Sequence, residues 1–453
     1  MKKAILAALM LSGCMAGPDY KRPDTQLPGA FAEPASQDTP AIAPRWWTLY
    51  RDPMLDDLVR LGLERNADVR LAVARVEEAE GALREAQATV FFPLINGNAG
   101  ATRARTLQSG ASNLANTFSL GLSTSFEVDL WGRLRRAERA VQDQLLASRY
   151  GRDTVRLTLA ATIARTYFAA RSLDSQLVAS EEILRAANES LALARKRSDA
   201  GVASALDVYQ AAGLQSAAAA QAKEVARQRA AILHQLATLT GRLDLRVDAK
   251  DIASLPIPPL PPAGLPSQLL ERRPDVRQAE AQLAAATERI GVARAAQFPT
   301  LSLTGSLGFQ SGDLDALFKP GAHVWSVGAN VLGPILDGGR YRARTEQAEA
   351  QARQAEALYQ RAVETAFREV SDALSNVRLA ADSETDLVSR LDAARNALRL
   401  AQRRYEQGYS AYLEVLDAQR TLNDAQLAFI RNRQAYLSYT VDLMNSLGGG
   451  WSS

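Results

Sequence analysis

Hydrophobic and polar positions follow two periods along this chain, and the switch between them occurs twice. In 116–130 the even positions run Asn116, Phe118, Leu120, Leu122, Thr124, Phe126, Val128 and Leu130, and the odd ones Thr117, Ser119, Gly121, Ser123, Ser125, Glu127 and Asp129. A period of two puts one set on each face of a strand. Leu301, Leu303, Leu307 and Phe309 alternate with Thr300, Ser302, Thr304, Ser306 and Gln310 in the same way. Weaker partner segments lie around 94–107 and 322–332, the latter with Val324, Trp325 and Val327, so two hairpins are expected. Such strands suit a transmembrane barrel with a wet lumen, and equally a soluble sheet with one buried face.

After each strand pair the period lengthens. Ala348, Ala352, Ala355, Tyr359, Ala362, Ala366, Val370, Ala373 and Val377 are spaced at about 3.6 residues, and Leu387, Leu391, Ala394, Leu398, Ala401 and Tyr405 then alternate steps of four and three, a coiled-coil seam. Residues 340–407 hold neither proline nor glycine, and 133–200 hold only Gly151. A helix of that length is a rod of roughly 100 Å. Gly201 and Gly408 mark turns into further Ala-rich helices, about 203–242 and 410–447, so each half contributes one long helical hairpin.

The two halves are one unit written twice, 207 residues apart. Leu63-Glu64-Arg65 returns as Leu270-Glu271-Arg272, Asp68-Val69-Arg70 as Asp275-Val276-Arg277, and Gly132-Arg133 as Gly339-Arg340. Gly201, Leu206, Val208 and Gly241 return as Gly408, Leu413, Val415 and Gly448, while Phe92-Pro93 and Phe298-Pro299 slip to 206 (298 − 92). This is a duplicated domain, not a solenoid repeat. Proline clusters at 18–44 and 256–266 read as a tether and an inter-repeat linker. The organisation expected is a signal peptide at 1–13, a Pro-rich tether at 14–50 and a first repeat at 51–250, with strands about 94–130 and a hairpin about 132–243. A linker at 251–266 follows, then a second repeat at 267–448, with strands about 299–333 and a hairpin about 339–447, and a tail at 449–453.

Lys2 and Lys3 precede an apolar run that ends in Leu11-Ser12-Gly13-Cys14, a secretory signal too short to span a bilayer. Its ending resembles a bacterial lipobox, which implies a covalent lipid on Cys14, and Met15 in the next position implies sorting to the outer membrane. Cys14 is the only cysteine, which excludes an intrachain disulfide. With 53 basic and 50 acidic residues the net charge is +3, and no basic field points to nucleic acid. The two histidines, His234 and His323, sit in different halves; no metal cluster, phosphate loop or catalytic grouping stands out, so no enzyme and no cofactor besides the lipid are expected. Arg103 and Arg105 share one face of a strand, suited to a barrel lumen or to a soluble sheet's wet face. Trp46 and Trp47 are expected to pack the tether onto the helical body.

Four strands cannot close a membrane barrel, and open edges are not tolerated in hydrocarbon. A membrane sheet therefore needs two copies for eight strands or three for twelve.

Several motifs resemble the TolC-like outer-membrane factors, in particular the NodT-type efflux lipoproteins. They are Gly17-Pro18-Asp19-Tyr20-Lys21-Arg22-Pro23, Trp46-Trp47 with Asp52-Pro53, Asp129-Leu130-Trp131-Gly132-Arg133, Arg273-Pro274-Asp275-Val276, Pro334-Ile335-Leu336-Asp337-Gly338-Gly339-Arg340, and the tips at 201–208 and 408–415. The resemblance implies a mixed α and β fold of mostly long helices, with a trimeric α-helical barrel continuing a twelve-stranded transmembrane β-barrel, four strands per chain. It implies the exit duct of a tripartite efflux pump, lipid-anchored in the outer membrane and extending into the periplasm, served by a periplasmic adaptor and an inner-membrane RND-type transporter. Asp207, Tyr405, Glu414 and Asp417 fall at the family's periplasmic gate, and Gly201, Val202, Leu206, Val208, Gly408, Leu413 and Val415 at its adaptor-contact tips. Ser410 stands where some members carry a tip arginine, so its locking contact falls to Arg403, to Arg404 or to neither, the last leaving a more loosely held gate. First-turn acids favoured by the helix dipole account for Glu414 and Asp417 as well. The rival functions are a periplasmic adaptor lipoprotein and the outer-membrane channel of a type I secretion system.

Overall fold

A computed structural model describes residues 15–25, 27–31, 44–108, 111–261 and 266–449. Cys14 and the expected signal peptide lie outside the described residues, as do 32–43 of the tether and 262–265 of the linker. The first half runs α1 (Pro53–Arg65), α2 (Ala67–Phe91), β1 (Leu94–Gln108), β2 (Ala111–Val128), α3 (Arg133–Asp199) and α4 (Ala205–Thr240). The second repeats that order as α5 (Leu269–Arg272), α6 (Pro274–Ala295), β3 (Thr300–Ser311), β4 (His323–Leu332), α7 (Arg340–Glu406) and α8 (Tyr412–Ser446). Helices α3 and α7 are each 67 residues long, built from strong helix formers without an interior proline. Asp52 starts α1 by accepting from Met54 N–H at 3.0 Å, with Pro53 at the first helical position, where its missing N–H is harmless.

The strands form one antiparallel sheet in the order β1-β2-β3-β4. Its central pairing joins the two halves, from Phe118 opposite Ser311 to Val128 opposite Leu301.

The chain divides into two compact units that cut across the duplication. One takes the described parts of 1–24, 74–149 and 278–361, including the sheet; the other takes those of 25–73, 150–277 and 362–453, including both helical turns. In the second unit Trp46, Trp47, Tyr50, Leu55, Leu58, Ile163, Phe168 and Leu236 form a buried core. The tryptophans are therefore packing residues. Several polar groups inside this core are paired: Tyr50 and Thr440 hydroxyls lie 2.8 Å apart, Tyr167 donates to Asp52 at 2.6 Å, and Arg171 donates to Asp251 O at 3.0 Å, whereas the buried Trp46 indole N–H has no partner among the described residues.

The duplicated motifs meet their own counterparts in this unit. Gly241 (φ +65°) ends α4 against Arg65, and its equivalent Gly448 (φ +89°) lies against Arg272; a Cβ at either would sit 3.0 Å from the arginine's carbonyl oxygen. Asn66 donates to Leu239 O at 3.0 Å, and the equivalent Arg273 to Ser446 O at 3.0 Å, so one crossing is made twice with different side chains. Gly241→Ala therefore combines left-handed backbone strain with a backbone clash and is expected to cost roughly 1–3 kcal/mol. Gly213→Ala, inside α4 with nothing within 4 Å of the added Cβ, should instead stabilise by about 0.5–1 kcal/mol. Thermal unfolding in detergent measures both, and equal shifts would refute the packing argument.

Candidate functional site

Residues opposite each other in an antiparallel ladder share a face. One row across the sheet is Gly97, Leu122, Leu307 and Trp325; the next row is Asn96, Ser123, Ser306 and Ser326. Leu122, Leu307 and Trp325 are 55%, 62% and 75% exposed. The other face is hydroxyl-lined, with Ser306 and Ser326 oxygens 2.8 Å apart. The soluble alternative required the apolar face to be buried, and within the protomer it is not. An exposed apolar sheet face of this extent marks a surface for lipid or another protein.

Aromatic rings flank the apolar rows. Trp131 stacks on Phe298 at 4.7 Å and donates to Pro299 O at 2.8 Å; near the hairpin ends Phe309 packs on Phe318 at 5.3 Å and on His323 at 4.5 Å. From Phe298 to Phe309 the chain climbs about 36 Å, or about 28 Å along a membrane normal at 40° tilt. That is close to the roughly 25 Å apolar band of outer-membrane barrels.

Arg103 and Arg105 depart from the expected lumen or wet face. Arg103 lies opposite Asn116 and Arg105 opposite Leu114, which puts both on the face of Phe118, Leu120 and Leu122. The alternation along β1 is weak because Gly97, Ala99 and Ala101 fill its apolar side, so only the register reveals the face.

The helical turns lie in the other unit. Gly201 (φ +74°) and Gly408 (φ +80°) close them, with Val202 N–H donating to Arg197 O at 2.9 Å and Tyr409 N–H to Arg404 O at 2.8 Å. The next residues diverge. Ser204 starts α4 with a capping box to Asp207, both contacts at 3.3 Å, whereas Ala411 starts α8 without a side-chain cap. Glu414, the counterpart of Asp207, is thereby released from capping and pairs with Arg404 Nε at 3.4 Å. Of the two tip arginines, Arg404 is the one that pairs with Glu414. Arg197 crosses between hairpins, stacking on the Tyr405 ring at 4.6 Å and donating to Tyr405 O at 3.2 Å.

Tyr405, Tyr412, Val415 and Leu416 pack with Ala194, Ala211 and Ala401, and Val208 packs against them. Val415 is 3% exposed, so Val208 and Val415 hold the tip together, while Val202, Leu206 and Leu413 project at 61–66% exposure. Asp417 is exposed. The Tyr405 hydroxyl is buried without a hydrogen-bond partner among the described residues, and burial raises its pKa.

A third cluster was not legible in the sequence. Arg136, 1% exposed, donates to Gly17 O (3.2 Å), Pro18 O (3.0 Å), Asp19 (2.9 Å) and Glu288 (2.9 Å). Arg22 grips Glu280 with two bonds of 2.7 and 3.0 Å. Nearby, burial and then Glu288 push the Asp143 carboxyl up to about 6, partly offset by Arg139. A raised carboxyl pKa favours folding at low pH and loses that contribution as pH rises from about 4 to 6. Asp143→Asn should remove this slope and stabilise at pH 7 by on the order of 1 kcal/mol after discounting for solvent screening, as read from unfolding midpoints at pH 4.5 and 7.

Among the described residues no group of His, Cys, Asp and Glu could hold a metal, and no helix is long and apolar enough to cross a membrane. A sheet with an exposed apolar face and a hydroxyl-lined reverse, on a chain of long paired helices, defines the subunit of an outer-membrane channel. The chain belongs to the outer membrane efflux protein family, whose pattern matches residues 58–242 and again 265–449. It is 37% identical to the solvent efflux pump outer membrane protein SrpC of Pseudomonas putida, over 99% of this chain and 98% of that one. Among solved structures it is similar to the outer-membrane channel OprN (TM-score 0.90, 32% identity, 97% of this chain and 100% of that one). It is also similar to the open state of the MtrE outer membrane channel of Neisseria gonorrhoeae (TM-score 0.88, 31% identity, 96% and 98%). The family consists of channel proteins.

Proposed function

We propose that this chain assembles as a homotrimer and serves as the exit duct of a tripartite efflux pump, conducting substrates passively and catalysing nothing. The observation that carries the reading is the two-faced sheet with open edges at β1 and β4. In lipid those edges must pair, and three copies would close twelve strands with the serine rows inward. A periplasmic adaptor and an inner-membrane RND-type transporter would deliver the substrate, and choice of substrate would rest with the transporter. A covalent lipid on Cys14 would add a second attachment to the outer membrane. The exposed Val202, Leu206 and Leu413 side chains suit adaptor contact. Asp207, Tyr405, Glu414 and Asp417 would form the periplasmic gate, where the unpartnered Tyr405 hydroxyl leaves a bond for a neighbouring copy.

Light scattering on protein extracted in mild detergent from outer membranes tests the assembly: three protomers of just under 49.0 kDa are expected. A monomer, or protein released without detergent, would return the adaptor reading. Cys14→Ser should block lipid attachment and weaken membrane retention; unchanged processing and retention would refute the lipidation.

A further inference from the structure

We infer that Arg103 and Arg105 form a headgroup site for a phosphorylated lipid of the outer leaflet. The inference rests on the barrel reading above. Both side chains are exposed, and neither has a side-chain partner among the described residues. Their face of β1 carries only Ile95, Gly97, Ala99 and Ala101 below them, and the matching face of β2 carries Phe118, Leu120, Leu122, Thr124 and Phe126. Charge therefore begins abruptly at Arg103, with no carboxylate on this face of either strand to neutralise it. The acid of β2, Glu127, belongs to the opposite face and is held by Arg133 at 2.6 Å.

Height decides what the arginines meet. The helices leave the sheet at the end marked by Phe92 and Trp131, so the β1–β2 turn is the end away from them. Ile95 to Arg103 is eight residues, about 26 Å along the strand and about 20 Å along the normal at 40° tilt. The arginines thus stand at the upper edge of the apolar band. There an outward cation costs about 0–1 kcal/mol, against 2–4 at the midplane, and its aliphatic stem can lie along the acyl chains.

A guanidinium fork matches a phosphate bidentately, and two forks two residues apart on one strand, roughly 6.6 Å, can share one multiply charged headgroup. The lipid-facing position favours a lipid over a protein occupant. Near an anionic surface each arginine contributes a factor of about five in affinity, so roughly twenty-five-fold for the pair.

The full-length protein should be reconstituted into phosphatidylcholine vesicles doped with lipid A, either diphosphorylated or fully dephosphorylated. It is then re-extracted in mild detergent, and the retained lipid A is counted by its hydroxylated acyl chains. The wild type should retain the diphosphorylated form about twenty-five-fold better. R103Q/R105Q should insert equally well and lose the preference, with R103K/R105K in between. Equal retention of both forms by the wild type overturns the site whatever the variants do. So does a preference that survives in R103Q/R105Q, which would assign phosphate binding elsewhere. Failure of the wild type to enter either vesicle overturns the barrel reading, and the site with it.

Discussion

Replacing Arg136 with methionine should raise trypsin cleavage of the Lys21–Arg22 bond at least tenfold and destabilise the protein by about 3–5 kcal/mol. Two different losses combine in that result. The carbonyls of Gly17 and Pro18 and the Asp19 carboxylate lose a charged donor, so the segment opens more often. Glu288, whose side chain is 8% exposed, loses the cation that justified its burial and faces Asp143 alone. A buried carboxylate without a partner takes up a proton. R136M should therefore recover stability as pH falls, the reverse of ordinary acid unfolding. The double variant R136M/E288L separates the two losses. Removing both charges is close to neutral for stability, yet nothing restores the carbonyl contacts. Its midpoint should return while the fast cleavage persists. If R136M leaves cleavage of the Lys21–Arg22 bond at the wild-type rate, the clamp has no role in holding the segment.

Neutralising Glu414 and Asp417 together should lower the cation-over-anion preference of the reconstituted channel by on the order of tenfold at low salt. In three copies these residues supply six carboxylates. At about 8 Å each contributes roughly 0.5 kcal/mol in water, reduced further by screening at physiological ionic strength. Arg404→Gln should move the preference the other way, because it removes the cation 3.4 Å from Glu414. That pair is more than half exposed on Arg404 and nearly so on Glu414, so its loss should cost at most about 1 kcal/mol of tip stability. Opposite signs from the two variants identify a field effect at a constriction. Unchanged reversal potentials in both would leave Glu414 and Asp417 as ordinary first-turn acids.

The elements were legible because each depends on local periodicity. Alternation at 116–130 became β2 over Ala111–Val128, and the glycine-free, proline-free run at 340–407 became α7 over Arg340–Glu406. Even the duplication had a spatial meaning, since Gly241 meets Arg65 as Gly448 meets Arg272. The tip was legible in part. Its turns fell at Gly201 and Gly408, but periodicity did not separate the buried Val415 from the projecting Leu413.

The chain by itself determined which segments are strands, which are helices and that they occur twice, because those properties reside in spacings of two to four residues and in the cost of glycine and proline. Only the tertiary structure decided the rest. The face carrying Arg103 follows from a register set by pairing with β2, and Glu414 finds Arg404 because Ala411 leaves it free of capping duty. Arg136 is one arginine among many in its helix until Gly17, Pro18, Asp19 and Glu288 converge on it from 117 to 152 residues away. No periodicity encodes such a meeting; it arises when the packed chain removes water from a charge, which must then be matched by whatever groups the fold brings near.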